Sequence, residues 1–137
     1  MKAKDYLMQI RLLDVRIDAN IEELERLKAM ATKVTSALQG DVVSRSRGAD
    51  TMANAVAKII SLQETINRDV DAYVDLKQAA LDLLSKVDNP THYSILYGRY
   101  ILYKTWEQIA CDIGFTYQWV CQLHGVALQE FEKRLEQ

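Results

Sequence analysis

The side chains that could do inner-sphere chemistry are few. Cys111, Cys121, His92 and His124 are the chain's entire supply of thiol and imidazole. Cys121 and His124 are three residues apart, a spacing that places both on one side of a helix. A structural zinc site needs four ligands, so all four side chains would have to converge, and no paired-cysteine motif nucleates such a site. Buried or neutral thiols are therefore expected, with no metal and no cofactor. Nucleophilic and phosphate chemistry fare no better. There is no glycine-rich phosphate loop, no His-Glu-x-x-His and no nucleophile beside an evident base. The carboxylates recur at spacings that suit the solvated faces of helices. An enzyme is not expected.

The more informative pattern positions helices. Asn89-Pro90 supplies a cap and a proline at the first turn. After it, Ile95, Leu96 and Tyr100, with Leu102 or Tyr103, fall near one face. Thr105-Trp106-Glu107-Gln108 reads as a capping box, threonine first and glutamine three residues on. The helix it opens, Trp106 to Ile113, turns Ile109, Ala110 and Ile113 inward. Gly114 ends it, since a left-handed backbone costs glycine little. Thr116 caps a last helix from Tyr117 to about Leu135, with apolar positions Val120, Leu123, Ala127, Leu128, Phe131 and Leu135. Short helix, glycine turn, cap and longer helix is the helix-turn-helix order, whose second helix enters a major groove. Trp106 is expected in the core, and Trp119 either in a core or interface or in contact with nucleic acid or polymerase.

Upstream, two heptad blocks dominate. With Ala3 at position a, the a row is Ala3, Ile10, Ile17, Leu24, Ala31 and Leu38. The d row is Tyr6, Leu13, Asn20, Leu27 and Val34. The second block has Met52, Ile59, Ile66, Tyr73, Ala80 and Val87 at a, and Ala55, Leu62, Asp69, Leu76 and Leu83 at d. Leu7 and Ile21 widen the first stripe at e, and Val56, Val70 and Leu84 the second, which calls for more than one packing partner. Asn20 facing Asp69, or a partner's Asn20, would fix register. Glycines and serines in 39–49 imply a loop, with Asp50 capping the second helix and Pro90 stopping it near Asp88.

The sequence thus predicts an all-α fold: a long antiparallel, coiled-coil-like helical hairpin over 1–88 (helices 3–38 and 50–88), followed by a helix-turn-helix module over 89–137. The 137 residues, 49% of them apolar, suffice for a real core, and one proline with five glycines leaves few breaks. Net charge is −2 and neither block carries a basic excess. Over 89–137, Arg99, Lys104, Lys133 and Arg134 stand against Glu107, Asp112, Glu130, Glu132 and Glu136. The charged start lacks a signal peptide's apolar segment, and no apolar run reaches membrane-spanning length. A soluble, cytoplasmic protein with reduced thiols is expected.

Lys104 to Ala110 (Lys-Thr-Trp-Glu-Gln-Ile-Ala), with Ile113-Gly114-Phe115-Thr116 and Val120 to Leu128 (Val-Cys-Gln-Leu-His-Gly-Val-Ala-Leu), resembles region 4 of bacterial sigma-70 factors. Leu96 to Tyr100 resembles the helix before it, so the likeness spans about 45 residues. The layout of hairpin plus module is similar to small phage sigma-like regulators, the ArpU-type late transcriptional regulators among them. The resemblance implies a transcription regulator of phage or prophage type, acting on double-stranded promoter DNA with or without RNA polymerase. It assigns DNA contacts to Tyr117, Gln118, Cys121 and Gln122 at the start of the last helix. Gln122 keeps the family residue, and a glutamine amide can pair with adenine N6 and N7. Lys104 and Thr105 fall where a phosphate is held at a helix N-terminus, and Thr116 at the cap of the reading helix. Tyr117, Trp119 and Cys121 replace family arginines, which removes guanine readout and counterion release.

Two further features bear on partners. Arg45 and Arg47, with Ser44 and Ser46, form a small basic tip, either a DNA or polymerase contact or simply solvated. The heptad stripes serve either a homodimer seam or packing within one chain. The competing function is phage assembly or packaging, or an adaptor role, with the hairpin as oligomerisation element. In terminase small subunits, however, the DNA-binding module usually precedes the oligomerisation helices, the reverse of the order here.

Overall fold

The computed structural model describes residues 1–38 and 45–137, and every element among them is helical. Helix α1 spans Ala3–Leu38 and α2 spans Arg45–Leu84. Then come α3, Pro90–Leu96, continuing without a break into a π-helical turn over Tyr97–Ile101; α4, Trp106–Ile113; and α5, Tyr117–Leu135. No described helix is long and apolar enough to cross a membrane.

α1 has the bounds that its heptads give. α2 does not. It begins at Arg45, so Asp50 lies inside it rather than at its start, and residues 45–49 of the expected loop are helical. One glycine in a helix costs about 1 kcal/mol relative to alanine, too little to interrupt forty residues of continuous helix. The remainder of that loop, 39–44, lies outside the described residues. At its other end α2 stops at Leu84, earlier than Asp88: Ser85 Oγ donates to the Asp82 carbonyl at 2.6 Å, and Val87 N–H bonds back to Leu84 O in a tight turn.

The chain forms two compact units, Met1–Asp14 with Tyr73–Gln137, and Val15–Ala72. They are cut differently from the sequence blocks 1–88 and 89–137, because the first turns of α1 and the last of α2 belong with the C-terminal helices. In the first unit, Leu7 and Ile10 of α1, Ala80 and Leu84 of α2, Leu96 and Tyr100 of the α3 segment, and Ala127 and Phe131 of α5 make one buried cluster. In the second, Ile17 and Ile66 are buried, and Asp69 is held by Arg16 through two hydrogen bonds of 2.6 and 3.1 Å. Asp69 therefore takes its partner from Arg16 rather than from Asn20. Arginine offers a fork that matches both carboxylate oxygens, which an amide cannot do.

Between α3 and α4 the backbone is tightly constrained. A Cβ on Gly98 would stand 3.2 Å from Ile109 Cγ1, so the glycine lets the π turn approach α4. Tyr103 has φ +58°, the only non-glycine residue described with positive φ. Its ring lies under the Arg11 guanidinium, 5.4 Å away, and its buried hydroxyl has no hydrogen-bond partner among the described residues. Burial, and next the nearby Tyr73 and Asp14 side chains, push that hydroxyl's pKa far up.

Candidate functional site

The α4–α5 pair is set by local chemistry. The Thr105 side chain accepts from Gln108 N–H at 3.2 Å and Gln108 Oε1 accepts from Thr105 N–H at 2.9 Å, so the first turn of α4 caps itself. Gly114 ends α4 at φ +74°, and the following Phe115 N–H donates to Ala110 O at 3.0 Å. Thr116 Oγ1 then accepts from Trp119 N–H at 3.2 Å and opens α5. Ile95, Ile109, Ala110 and Val120 bury one another between the helices, with Trp106, Ile113 and Leu123 packed around them. The small Ala110 sits in that contact.

A stacked group fixes where α5 begins relative to α3 and α4. The Arg99 guanidinium lies 4.4 Å from the Trp106 ring centre, and Trp106 meets His124 edge-on at 4.5 Å. On its other side His124 Nε2 lies 2.7 Å from the Tyr100 hydroxyl. Burial, then the positive charges of Lys4 and Arg99, push the His124 pKa down to about 4. Burial pushes that of Tyr100 up to about 12, partly offset by Arg99. With the imidazole neutral and the phenol protonated, the tautomer sets the direction of this bond: Nε2 accepts from the Tyr100 O–H when bare and donates to the Tyr100 oxygen when protonated. Trp106 is thus half-buried in an aromatic and cationic sandwich.

The far end of α5 is held by a carboxylate. His92 Nδ1 and Glu130 Oε2 are 2.5 Å apart, Asp88 N–H donates to Glu130 Oε1 at 3.0 Å, and Arg134 pairs with Asp88 at 3.1 Å. Burial alone would raise the Glu130 pKa, but the bonds from His92 and from the backbone N–H groups of Asp88 and Asn89 outweigh it and hold it below the usual range.

With both ends fixed, the exposed side of α5 is determined. At 3.6 residues per turn, Gln118, Cys121, Gln122 and Gly125 form one stripe, roughly opposite Val120, Ala127 and Phe131. Those three are buried, while Gln118, Gln122 and Gly125 are exposed and Cys121 half-buried. Tyr117 and Trp119 are exposed on either flank. The Cys121 side chain, first of all, pushes the Tyr117 pKa up, with smaller contributions that include Glu107.

Not all the residues proposed for DNA contact share this stripe. Gln118, Cys121 and Gln122 come together, with Tyr117 alongside. Thr105 and Thr116 are spent on caps, each hydroxyl already accepting a backbone N–H. Lys104 pairs with Asp112, 2.6 Å away, so its ammonium already faces a carboxylate where a phosphate was expected. Arg99 is committed to the Trp106 face and to the Lys104 carbonyl, 3.0 Å away. Sequence reasoning missed Gly125 and Arg99. Gly125 was discoverable from its spacing, seven residues after Gln118 and three after Gln122. Arg99 had no comparable signal, since its role depends on the π turn. Among the described residues no three potential metal ligands gather.

Compared with known protein families, with curated proteins and with solved structures, the chain has no match.

Proposed function

We propose that the chain is a DNA-binding transcription regulator in which α4 and α5 act as a helix-turn-helix and the outward stripe of α5 meets the major groove. The observation that carries this reading is the amide-bearing stripe Gln118–Cys121–Gln122, lying opposite the buried side of a helix anchored at both ends. A reading helix needs side chains that project without obstruction from a rigid scaffold. The sequence resemblance to sigma region 4, and to phage regulators built on it, supports the same assignment. The long helices α1 and α2 supply a hairpin for dimerisation or for docking on RNA polymerase.

The electrostatics shape the proposal. Of the four cations in 89–137, Lys104 and Arg134 pair with carboxylates and Arg99 stacks on Trp106. Few phosphates can be neutralised, so binding by the free chain is weak and its salt dependence shallow. Polymerase would supply the missing affinity. The test is a titration of promoter-containing duplexes from the gene's own neighbourhood across a salt series, with and without host polymerase core. Site-selective binding in either arm is expected. Its absence in both overturns the proposal.

A second reading rests on a separate observation. Val15, Ile21, Met30, Val56, Ile60 and Val70, all in the Val15–Ala72 unit, are exposed apolar side chains on long helices. That supports an assembly or packaging role through oligomerisation. A mass measurement separates the two, since a ring of many subunits favours packaging and a monomer or dimer favours regulation.

A further inference from the structure

Gly125 sits in the interior of α5, on its exposed side, and an added Cβ would meet nothing within 4 Å. Glycine weakens a helix interior relative to alanine. At Gly98 the fold explains the glycine, because Ile109 stands where a Cβ would go. At Gly125 nothing among the described residues does. What a missing side chain provides there is room for something outside the protein to come close to the helix backbone. The glycine lies on the stripe of Gln118, Cys121 and Gln122, about two turns after the first of them.

The chemistry of that stripe narrows the ligand. Guanine shows two acceptors, O6 and N7, in the major groove and is matched by arginine or lysine. No cation stands on the stripe, and Lys104 and Arg99 nearby are engaged elsewhere. Adenine shows one acceptor and one donor, which a glutamine amide matches with both its groups, and thymine's methyl is matched by apolar contact. Gln118 and Gln122 provide two amides, and the exposed rings of Tyr117 and Trp119 flank them.

Building on the function proposed above, we infer that this stripe takes an A·T-rich stretch of duplex DNA, with Gly125 as the point where the duplex comes closest to α5. The glutamines read adenines, the flanking rings lie against thymine methyls, and the bare backbone at Gly125 lets the helix seat deeply.

The experiment is a selection from random-sequence duplex by the full chain at low salt, alone and with polymerase core, followed by titration of Gly125→Ala and of Gln118→Ala with Gln122→Ala on the selected site. Gly125→Ala is expected to raise the melting temperature by a few degrees while weakening site binding about tenfold. That combination cannot arise from misfolding. The double glutamine variant is expected to lose its A·T preference by about tenfold or more. Enrichment of G·C-rich sites, or unchanged affinity in Gly125→Ala, overturns this inference and leaves the DNA-binding function standing. No enrichment of any sequence in either arm overturns that function, and the inference falls with it.

Discussion

The two compact units carry the same kind of heptad helix and use it differently. Leu7 and Leu84, at the widening e positions of the Met1–Asp14 and Tyr73–Gln137 unit, are both 0% exposed. Ile21, Val56 and Val70, at the corresponding positions of the Val15–Ala72 unit, are 39%, 43% and 38% exposed. All the largest fully buried side chains, Phe131, Ile10 and Leu96 among them, belong to the first unit. A two-helix segment buries one stripe, whereas a wider stripe needs a third body. In the first unit α3 and α5 are that body. The difference teaches that an identical sequence signal, an apolar residue at e, means core in one place and surface in another.

The largest effect that would break this comparison is a truncation at the e positions. Leu84→Ala is expected to cost about 2–5 kcal/mol in urea unfolding, as a fully buried leucine that leaves a cavity. Val70→Ala, by the same measurement, is expected within about 0.5 kcal/mol of the parent. A cost for Val70→Ala approaching that of Leu84→Ala, growing with protein concentration, would mean that a second copy covers the Val15–Ala72 stripe in solution.

Next in size is an asymmetry inside the second unit. Arg16 and Asp69 are paired, but their side chains are 62% and 11% exposed. Arg16→Ala strands a buried carboxylate and is expected to cost about 2–3 kcal/mol. Asp69→Ala leaves an arginine that water can solvate and is expected to cost about 1 kcal/mol. Equal costs in denaturant titrations would show that Asp69 is reached by water, and that this unit has no polar core.

How much of this was legible in the sequence follows the same division. The cap at Thr105, the turn at Gly114, the cap at Thr116 and both ends of α4 were readable, because each is decided by residues within four positions of one another. The inward faces of α1, α4 and α5 were readable from period alone. The π turn over 97–101 and the positive φ at Tyr103 were not, since both depend on how the α3 segment meets α1, α2 and α4. Nor was the Arg16–Asp69 pair, whose members are 53 residues apart. In the candidate site the exposed glutamines were legible as the outward side of a helix. The pairing of Lys104 with Asp112, eight residues on, was not, because it needs the bend before α4 to bring the two together.

The acid response should also separate the units. His124 titrates near 4 in the folded chain, against about 6.5 when unfolded. The unfolded chain therefore binds the proton first as pH falls. The stabilisation is complete above pH 6.5 and is lost as pH drops from there toward 4. Because the ring is only partly buried, about 1–2 kcal/mol is a fair size after allowing for solvent screening. Glu130, held below its ordinary value, adds a loss of the same sign at still lower pH. Thermal unfolding across pH 7 to 4 should show this slope, and His124→Asn should flatten it. A slope unchanged in that variant would place the acid sensitivity away from the Tyr100–His124 contact.

The smallest expected difference lies within the first unit and asks how much of its rigidity is local. Thr105 and Thr116 both cap helices, but Thr105 belongs to a reciprocal box and Thr116 makes a single bond. Replacing either by alanine leaves an orphan N–H at a helix start, which costs about 1 kcal/mol. In Thr105→Ala the Gln108 side chain still reaches the backbone N–H at position 105, so half of the box survives. Thr116→Ala removes the side-chain cap of α5, yet that helix is nineteen residues long and tied down by the largely buried Glu130, whereas α4 has eight residues and only the exposed Lys104–Asp112 pair to hold it. Fraying one turn of α4 loosens Trp106 from Arg99 and His124, whereas fraying one turn of α5 frees mainly exposed side chains. Thr105→Ala is therefore expected to cost a few tenths of a kcal/mol more than Thr116→Ala in paired denaturant curves. The reverse order would mean that the start of α5 is held by its cap more than by the Tyr100–His124–Trp106 stack, and that the exposed stripe owes its position to Thr116.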